Sequence, residues 1–235
     1  MKTILITGAN SEIAYSYIKK AYHNYDAILA LYAHRRDRID KLCERFGDKI
    51  IPIATDLANK NIFEKFIEKL GNYEVNEFLH IAAPRLRHLK FAKSKIEEFE
   101  LEMQVVYWSF LKICQSIIPN MVKKNGGQIL AILTEYTITT QPPYLSHYIS
   151  SKFALLGLIR SLATEYGVKG IHINGISPGM IETDFISALP QYVIDDNAKL
   201  SVRGKNLNPN DLVPTISYLL SENSAGINGQ NILLK

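Results

Sequence analysis

Short runs rich in β-branched residues alternate along this chain with longer amphipathic stretches. The runs that predict strands are 3–7, 27–33, 50–55, 77–82, 128–133, 171–176 and 231–234. The stretches with helical periodicity fall at roughly 11–24, 37–46, 61–70, 95–124, 148–167 and 210–221. Repeated strand and helix in this order is typical of a parallel sheet covered by helices on both faces. We therefore expect an α/β fold with a doubly wound parallel sheet of about seven strands.

The 235 residues read as one domain, because no linker rich in Pro, Gly or Ser divides the alternating pattern. A hydrophobic content of 47% is enough to form a substantial core. Residues 183–208 interrupt the alternation and contain Pro190 and Gly204. This segment follows the sixth predicted strand, so it lies at the carboxyl edge of the sheet, where such folds bind ligands. We interpret it as a candidate substrate lid.

The charge pattern argues against a nucleic-acid partner. The formal net charge of +4 comes from 27 basic and 23 acidic residues spread along the chain, and an acid interrupts the densest basic cluster, 35–38. No apolar run is long enough to span a bilayer, and the N-terminus lacks the features of a signal peptide. Cys43 and Cys114 lie in predicted helices, so we expect neither a disulfide framework nor a metal site. These features predict a cytoplasmic protein with no membrane partner.

A glycine turn follows the first predicted strand, in the segment 7–14. Such a turn lets backbone N–H groups and a helix dipole approach a pyrophosphate, as in Rossmann-like dinucleotide-binding domains. The second and third glycine positions carry Glu12 and Ala14 here. Ala14 still permits close packing, whereas Glu12 is unfavourable near a pyrophosphate unless its side chain turns away. By itself, the turn fits an ordinary strand-to-helix connection equally well.

A possible acid–base pair is formed by Tyr148 and Lys152, which stand one turn apart on a predicted helix. An adjacent ammonium favours the phenolate, so we expect the pKa of Tyr148 to be lowered toward neutrality. The phenol could then exchange a proton with a substrate oxygen. Tyr and Lys are common on helix surfaces, and the pair alone is weak evidence. The context is more specific, because Thr134 lies fourteen residues upstream and a Pro-Gly segment, 178–183, follows downstream.

With these motifs in this order, the chain resembles a short-chain dehydrogenase/reductase of the short, single-domain type over essentially its whole length. The resemblance implies that Tyr148, Lys152 and Thr134 are the catalytic residues. It also implies a single NAD(P)-binding Rossmann domain over 1–235. The cofactor-binding residues that it implies, besides Tyr148 and Lys152, are Gly8, Asn10, Ser11, Glu12, Ile13, Asp56, Leu57, Ala82, Ala83, Pro178, Gly179, Ile181 and Thr183.

Cofactor choice depends on the residues after the second predicted strand. Arg35 and Arg36 stand there, and no acid precedes Asp37. An acid would bind the ribose hydroxyls of NAD, whereas a guanidinium suits the 2′-phosphate of NADP. We therefore predict that Arg35 and Arg36 bind cofactor and that NADP(H) is preferred over NAD(H). The alternative is two solvated arginines at a helix start.

Two departures from the family pattern affect the proton relay. The motif after the fourth strand usually reads Asn-Asn-Ala-Gly, and here 80–83 reads His-Ile-Ala-Ala. The Asn with which family members hold a relay water corresponds to Val106 in an ungapped alignment through 118–121. Gln104 lies about 200° around the helix from Val106, so it does not obviously substitute.

The resemblance implies an NADP(H)-dependent carbonyl reductase or alcohol dehydrogenase that acts on a small polar substrate as a homodimer or homotetramer. Subunits would associate through the helices at 95–124 and 148–167. Candidate substrate contacts are Glu135, Tyr136, Tyr144, Met180 and Phe185. Two alternatives stay open. One is an NADP(H)-binding pseudoenzyme without turnover, and the other is an epimerase or dehydratase of nucleotide sugars.

Overall fold

A seven-stranded parallel sheet forms the centre of the computed structural model, which describes residues 1–235. The strands are β1 (Thr3–Thr7), β2 (Ala27–Tyr32), β3 (Ile50–Ala54), β4 (Glu77–His80), β5 (Gly127–Ile132), β6 (Ile171–Pro178) and β7 (Asn231–Leu234). Their spatial order is β3-β2-β1-β4-β5-β6-β7. The predicted fold class is confirmed, and each strand ends within two residues of its predicted end.

Helices cover both faces of the sheet. They are α1 (Glu12–Ala21), α2 (Asp37–Phe46), α3 (Lys60–Leu70), α4 (Ile96–Glu102), α5 (Ser109–Lys123), α6 (Ser146–Tyr166), α7 (Gln191–Leu200) and α8 (Pro209–Leu219). Helices α1, α2 and α8 contribute to the core on one face, and α3, α5 and α6 to the core on the other. Alternate residues of β1 pack into opposite cores. Ile4 and Ile6 pack into the core with α1, α2 and α8, and Leu5 packs into the core with α3, α5 and α6. Burial on both faces explains why the strands are continuously apolar.

The strand order reverses between β1 and β4, which are neighbours in the sheet. In open α/β sheets this reversal opens a crevice beyond the carboxyl ends of the strands. Gly8 leaves β1 at this point with φ +65°, and a Cβ atom there would lie only 3.0 Å from the Ala82 backbone nitrogen. The turn therefore needs glycine both for its left-handed conformation and for its close approach to the chain after β4.

The predicted helix 95–124 is not continuous. A π-helical segment, Met103–Trp108, separates α4 from α5. Such segments frequently mark functional sites. Val106 lies in it, and its carbonyl oxygen contacts His80 Nε2 at 3.1 Å. Hydrophobic periodicity alone did not reveal the interruption.

The candidate lid, 183–208, contains α7, which the sequence pattern missed. No residue of α7 is fully buried. The base of the lid is fixed by a parallel bridge between Ile181 and Leu207 and by a 2.9 Å hydrogen bond from the Glu182 N–H to the Leu207 carbonyl. No helix in the structure combines the length and the apolar character that crossing a membrane requires.

Candidate active site

One cleft of about 750 Å³ follows the carboxyl edge of the sheet. It brings together every predicted catalytic and cofactor-binding residue except Arg36. The predicted residues that line it are Gly8, Asn10, Ser11, Glu12, Ile13, Arg35, Asp56, Leu57, Ala82, Ala83, Thr134, Tyr148, Lys152, Pro178, Gly179, Ile181 and Thr183. Residues from both ends of the chain thus meet at the edge where the topology predicts a ligand.

The predicted catalytic residues form a buried cluster at one end of the cleft. Tyr148 and Lys152 lie one turn apart on α6 and are 6% and 2% exposed. Thr134, two residues after β5, is 4% exposed and lies near enough to the Tyr148 phenol to lower its pKa. Lys152 Nζ donates a 2.7 Å hydrogen bond to the Ile132 carbonyl oxygen and lies 5.7 Å from the centre of the Tyr148 ring. Helical spacing and one strand end therefore suffice to assemble the cluster.

Burial controls the protonation of this cluster. It raises the pKa of Tyr148 above its ordinary value, and the nearby Thr134 acts in the opposite direction. The prediction that the Tyr148 pKa is lowered is wrong. Burial disfavours the charged phenolate, and this effect is larger than the stabilisation of the phenolate by neighbouring groups. Burial also lowers the pKa of Lys152 to about 8. At neutral pH both groups carry their protons.

Two polar residues beside this cluster were missed from the sequence. Glu102, at the end of α4, is 2% exposed, and burial raises the pKa of its carboxyl to about 7. It lies in a helix rich in Glu, and no sequence signal identified it. His80 ends β4 and is fully buried.

His80 connects β1 to the π-helical segment. Its Nδ1 lies 2.8 Å from the Thr7 hydroxyl oxygen, and its Nε2 lies 3.1 Å from the Val106 carbonyl oxygen. A carbonyl can only accept, so Nε2 carries the proton and Nδ1 accepts from Thr7. Burial lowers the His80 pKa to about 3, which keeps the ring neutral. This departure from the family motif therefore provides a structural connection.

The nucleotide turn is held by side-chain caps. The Ser11 hydroxyl accepts from the Ala14 N–H at 3.2 Å and caps α1. Asn10 Oδ1 accepts from the Arg38 N–H at 2.9 Å, which ties the turn to α2. Glu12 Oε1 accepts from Arg38 Nη2 at 2.6 Å. The carboxylate expected to disfavour a pyrophosphate is therefore paired with a cation.

The arginines after β2 differ from the prediction in which of them faces the cleft. Arg35 lines it and donates to Asp184 Oδ2 at 2.8 Å. Arg36 lies outside the lining and donates to Asp40 at 2.7 Å. Arg38, which was not predicted, lines the cleft and donates to Asp184 at 3.2 Å. Hydrogen bonds from Arg35 and Arg38 lower the pKa of Asp184.

The lining around Tyr148, at the same end of the cleft as the buried cluster, is mainly apolar. It includes Leu86, Leu145, Met180, Phe185, Ile186, Leu189 and Val193. Of the predicted substrate contacts, Glu135, Tyr136, Met180 and Phe185 line the cleft, whereas Tyr144 lies outside and packs against His88. The Glu135 carboxylate is paired with Lys235 at 3.0 Å.

A basic rim, which we define as Arg85, Lys90, Lys93 and Lys95, lies in the loop that leads from β4 to α4. None of these four cations has a carboxylate oxygen within 4.0 Å, and Arg85 itself lines the cleft. Arg87, within the same loop, is paired with Glu98 at 2.6 Å.

The residues present fit a nicotinamide dinucleotide. Gly8 makes the tight turn that leads from β1 to the N-terminus of α1, where backbone N–H groups can approach a pyrophosphate. Lys152 uses one of its three donors on the protein, which leaves two for a ligand. The carboxylates of Glu12 and Asp184 are each paired with an arginine rather than free.

Comparisons with known proteins agree with this geometry. The model of the family described as enoyl-(acyl carrier protein) reductase matches residues 8–234. A 3α-hydroxysteroid dehydrogenase of Mediterraneibacter gnavus is 26% identical over 97% of this chain and 93% of its own length. A 3-oxoacyl-[acyl-carrier-protein] reductase of Rickettsia prowazekii is 25% identical over 98% of this chain and 94% of its own.

Solved structures share the fold. Levodione reductase superposes with a TM-score of 0.89 at 16% identity, covering 100% of this chain and 96% of its own. A 3-oxoacyl (acyl-carrier-protein) reductase from Agrobacterium tumefaciens, with NADP bound, gives 0.87 at 20% identity, covering 99% of this chain and 92% of its own. The structural similarity shows the fold, and the family match shows the family. The chain belongs to the short-chain dehydrogenase/reductase family and is an NAD(P)-dependent oxidoreductase.

Proposed function

We propose that the protein is an NADP(H)-dependent carbonyl reductase or alcohol dehydrogenase that uses Thr134, Tyr148 and Lys152. The observation that carries the proposal is the buried cluster of these three residues at the inner end of a cleft that begins at the Gly8 turn. A phenol, a hydroxyl and an ammonium at one point can bind a carbonyl oxygen and protonate it.

The protonation states favour reduction. When bound, the nicotinamide supplies hydride to the carbonyl carbon. Tyr148 keeps its proton at neutral pH because burial raises its pKa, so it can donate that proton to the developing alkoxide. Thr134 hydrogen-bonds the substrate oxygen and the phenol. Lys152 stays an ammonium below its pKa of about 8 and stabilises the phenolate that remains.

Arg35 and Arg38 support NADP(H) over NAD(H), since both guanidinium groups line the cleft. Each also contacts Asp184, which would compete with a 2′-phosphate. The expected preference is therefore smaller than two free arginines would give.

The residues that line the cleft restrict the class of substrate. A small polar carbonyl compound was the expectation, but the lining around Tyr148 is mainly apolar. Arg85, the member of the basic rim that lines the cleft, has no carboxylate within 4.0 Å and attracts anions. We therefore favour a carbonyl compound with an apolar body and an anionic group. The relatives named as 3-oxoacyl-[acyl-carrier-protein] reductase and 3α-hydroxysteroid dehydrogenase act on carbonyl or hydroxyl groups of apolar bodies, which supports the first half of this choice.

The same proposal includes a homodimer or homotetramer. Trp108 and Phe153 are 45% and 43% exposed on the π-helical segment and on α6. These are the two segments through which association is expected. An assembly would bury their apolar side chains.

The test is turnover by the purified protein. NADPH or NADH is mixed with acetoacetyl-coenzyme A, its neutral N-acetylcysteamine thioester, a ketosteroid or a keto sugar acid, while the absorbance of the reduced nicotinamide is followed. We expect oxidation of NADPH with a thioester and a higher kcat/KM for the charged one. Tight NADPH binding without turnover on any compound would favour the pseudoenzyme instead.

A further inference from the structure

Glu102 is a buried carboxyl group that the catalytic proposal above does not use. It lies in the last turn of α4, directly before the π-helical segment, and is 2% exposed. Its Oε2 atom is buried and has no hydrogen-bond partner. An incompletely satisfied buried carboxylate is unfavourable, so its presence calls for a compensating role.

Lys152 is the cation that faces Glu102. Helix α4 packs against α6, which carries Lys152, and the two side chains attract each other electrostatically. Lys152 is also 2% exposed, and the Ile132 carbonyl is its one hydrogen-bond acceptor in the protein. The two groups form no ion pair within 4.0 Å, so they act on each other electrostatically across the buried contact between α4 and α6.

The other groups around Glu102 do not neutralise it. Ser151, on α6, donates its hydroxyl proton to the Tyr148 carbonyl oxygen at 2.8 Å instead. Glu98, one turn earlier on α4, repels it and is itself paired with Arg87. Lys152 is therefore the one positive charge that acts on the Glu102 carboxylate.

The other groups around Lys152 cannot replace Glu102. His80, from the β4 side, is neutral because burial lowers its pKa to about 3. Val106, four residues after Glu102, has an apolar side chain, and its carbonyl oxygen is engaged by His80. Tyr148 is protonated at neutral pH because burial raises its pKa.

We propose that Glu102 is a positioning residue that acts through Lys152, its carboxylate holding Lys152 as the ammonium. This role rests on the proposed reductase function. In each cycle the Tyr148 O–H proton moves to the substrate oxygen, and a proton from the Lys152 ammonium restores the phenol. Water in the cleft, which Lys152 lines, then protonates the Lys152 amine, and the Glu102 carboxylate stabilises the ammonium that forms.

The acidities of the pair agree with this role. Burial raises the pKa of Glu102 to about 7 and lowers that of Lys152 to about 8. Near neutral pH, Lys152 is therefore mostly the ammonium, and part of Glu102 is the carboxylate that stabilises it. An exposed Glu and Lys, at about 4.3 and 10.4, would be about six units apart.

The first experiment titrates Lys152 without any substrate. Lysine labelled with ¹³C at Cε is incorporated, and the Lys152 resonance is assigned by its loss in Lys152→Met. We expect Glu102→Gln to lower the Lys152 pKa by about one unit, since it removes the attractive charge. Glu100→Gln, an exposed residue of the same helix, is the matched control and should change nothing. Equal Lys152 pKa values in the two variants would overturn the proposal.

The second experiment measures kcat against pH with NADPH and acetoacetyl-coenzyme A. In Glu102→Gln we expect about a tenfold lower kcat at the wild-type optimum, with the high-pH limb shifted to lower pH. Glu102→Asp keeps the charge, so the high-pH limb should stay at the wild-type pH. This variant also provides the test if Glu102→Gln does not fold. A limb that stays in place in Glu102→Gln would contradict the proposal. If wild type turns over no carbonyl compound, the proposed function fails, while the titration still decides whether Glu102 controls Lys152.

Discussion

The two ends of the cleft are built differently. At the catalytic end, Thr134, Tyr148 and Lys152 are all buried and are positioned by one strand end and one helical turn. At the other end, which we call the phosphate end, Arg35 and Arg38 reach Asp184, nearly 150 residues away in the chain. Local spacing therefore determines the first arrangement. The second depends on ion pairs between distant segments.

The two ends also differ in what controls their charges. Desolvation is the largest influence on the pKa of Tyr148 and of Lys152, in opposite directions. For Asp184, which is half exposed, the hydrogen bonds from Arg35 and Arg38 come first. Exposed ion pairs are screened by salt, whereas buried groups are not. The catalytic end should therefore respond to pH, and the phosphate end to ionic strength.

The largest effect is expected at the catalytic end, from Tyr148→Phe. The substitution removes the proton donor and leaves the ring packing unchanged, so turnover should fall by about 10²–10⁴-fold. Steady-state kinetics with NADPH and the best thioester measure the loss, and calorimetry should find the NADPH affinity unchanged. A variant with near-normal kcat would mean that another group protonates the substrate.

At the phosphate end, Arg38→Ala should have the next largest effect. Loss of a charge-assisted contact to the 2′-phosphate costs roughly 1.5–3 kcal/mol, or about ten- to a hundredfold in NADPH affinity. Arg36→Ala is the matched control, because Arg36 lies outside the cleft and pairs with Asp40. Titration calorimetry with NADPH and NADH separates the cases. A larger loss in Arg36→Ala than in Arg38→Ala would reverse the assignment.

These arginines show what sequence could and could not predict. Arg35, Arg36 and Arg38 are the same residue type, so the sequence does not distinguish them. The position at which α2 begins determines which of them point toward the cleft. The Asn10 cap on the Arg38 N–H fixes that start. Such a contact joins the turn after β1 to α2, and no local sequence pattern predicts it. By contrast, the sheet, its strand ends and the Tyr148–Lys152 pair follow from periodicity and spacing.

The same limit explains the misses at the catalytic end. Helical spacing predicted that Lys152 would stand beside Tyr148, but the depth of burial, which reverses the expected shift of the Tyr148 pKa, depends on tertiary packing. Glu102 was missed for the same reason. An acidic helix reads as solvated until its last turn is known to pack against α6.

Activity should fall at high pH. Lys152 loses its proton above its pKa of about 8, so the cation that stabilises the Tyr148 phenolate disappears as pH rises. We expect kcat/KM for reduction to decline by about tenfold per pH unit above that value, since the active fraction is proportional to the protonated form. Profiles of kcat/KM against pH at low and at high salt should decline at the same pH, because Lys152 is buried and salt screens it little. A limb that moves with salt would place the titrating group at the surface.

The smallest effect is expected from Asp184→Asn, which tests whether the carboxylate competes with cofactor. Asp184 occupies donors of Arg35 and Arg38, and exposed ion pairs contribute ~0.2–1 kcal/mol. Freeing both guanidinium groups should therefore raise NADPH affinity by about two- to fivefold, with little change for NADH, and the gain should shrink at high salt. Asp195→Asn removes a charge elsewhere in the lid segment, where Gln191 is its partner, and serves as the control. If Asp184→Asn instead weakens NADPH binding, the main effect of Asp184 is to orient Arg35 and Arg38 rather than to compete with the 2′-phosphate. The phosphate end would then be preorganised, as the catalytic end is.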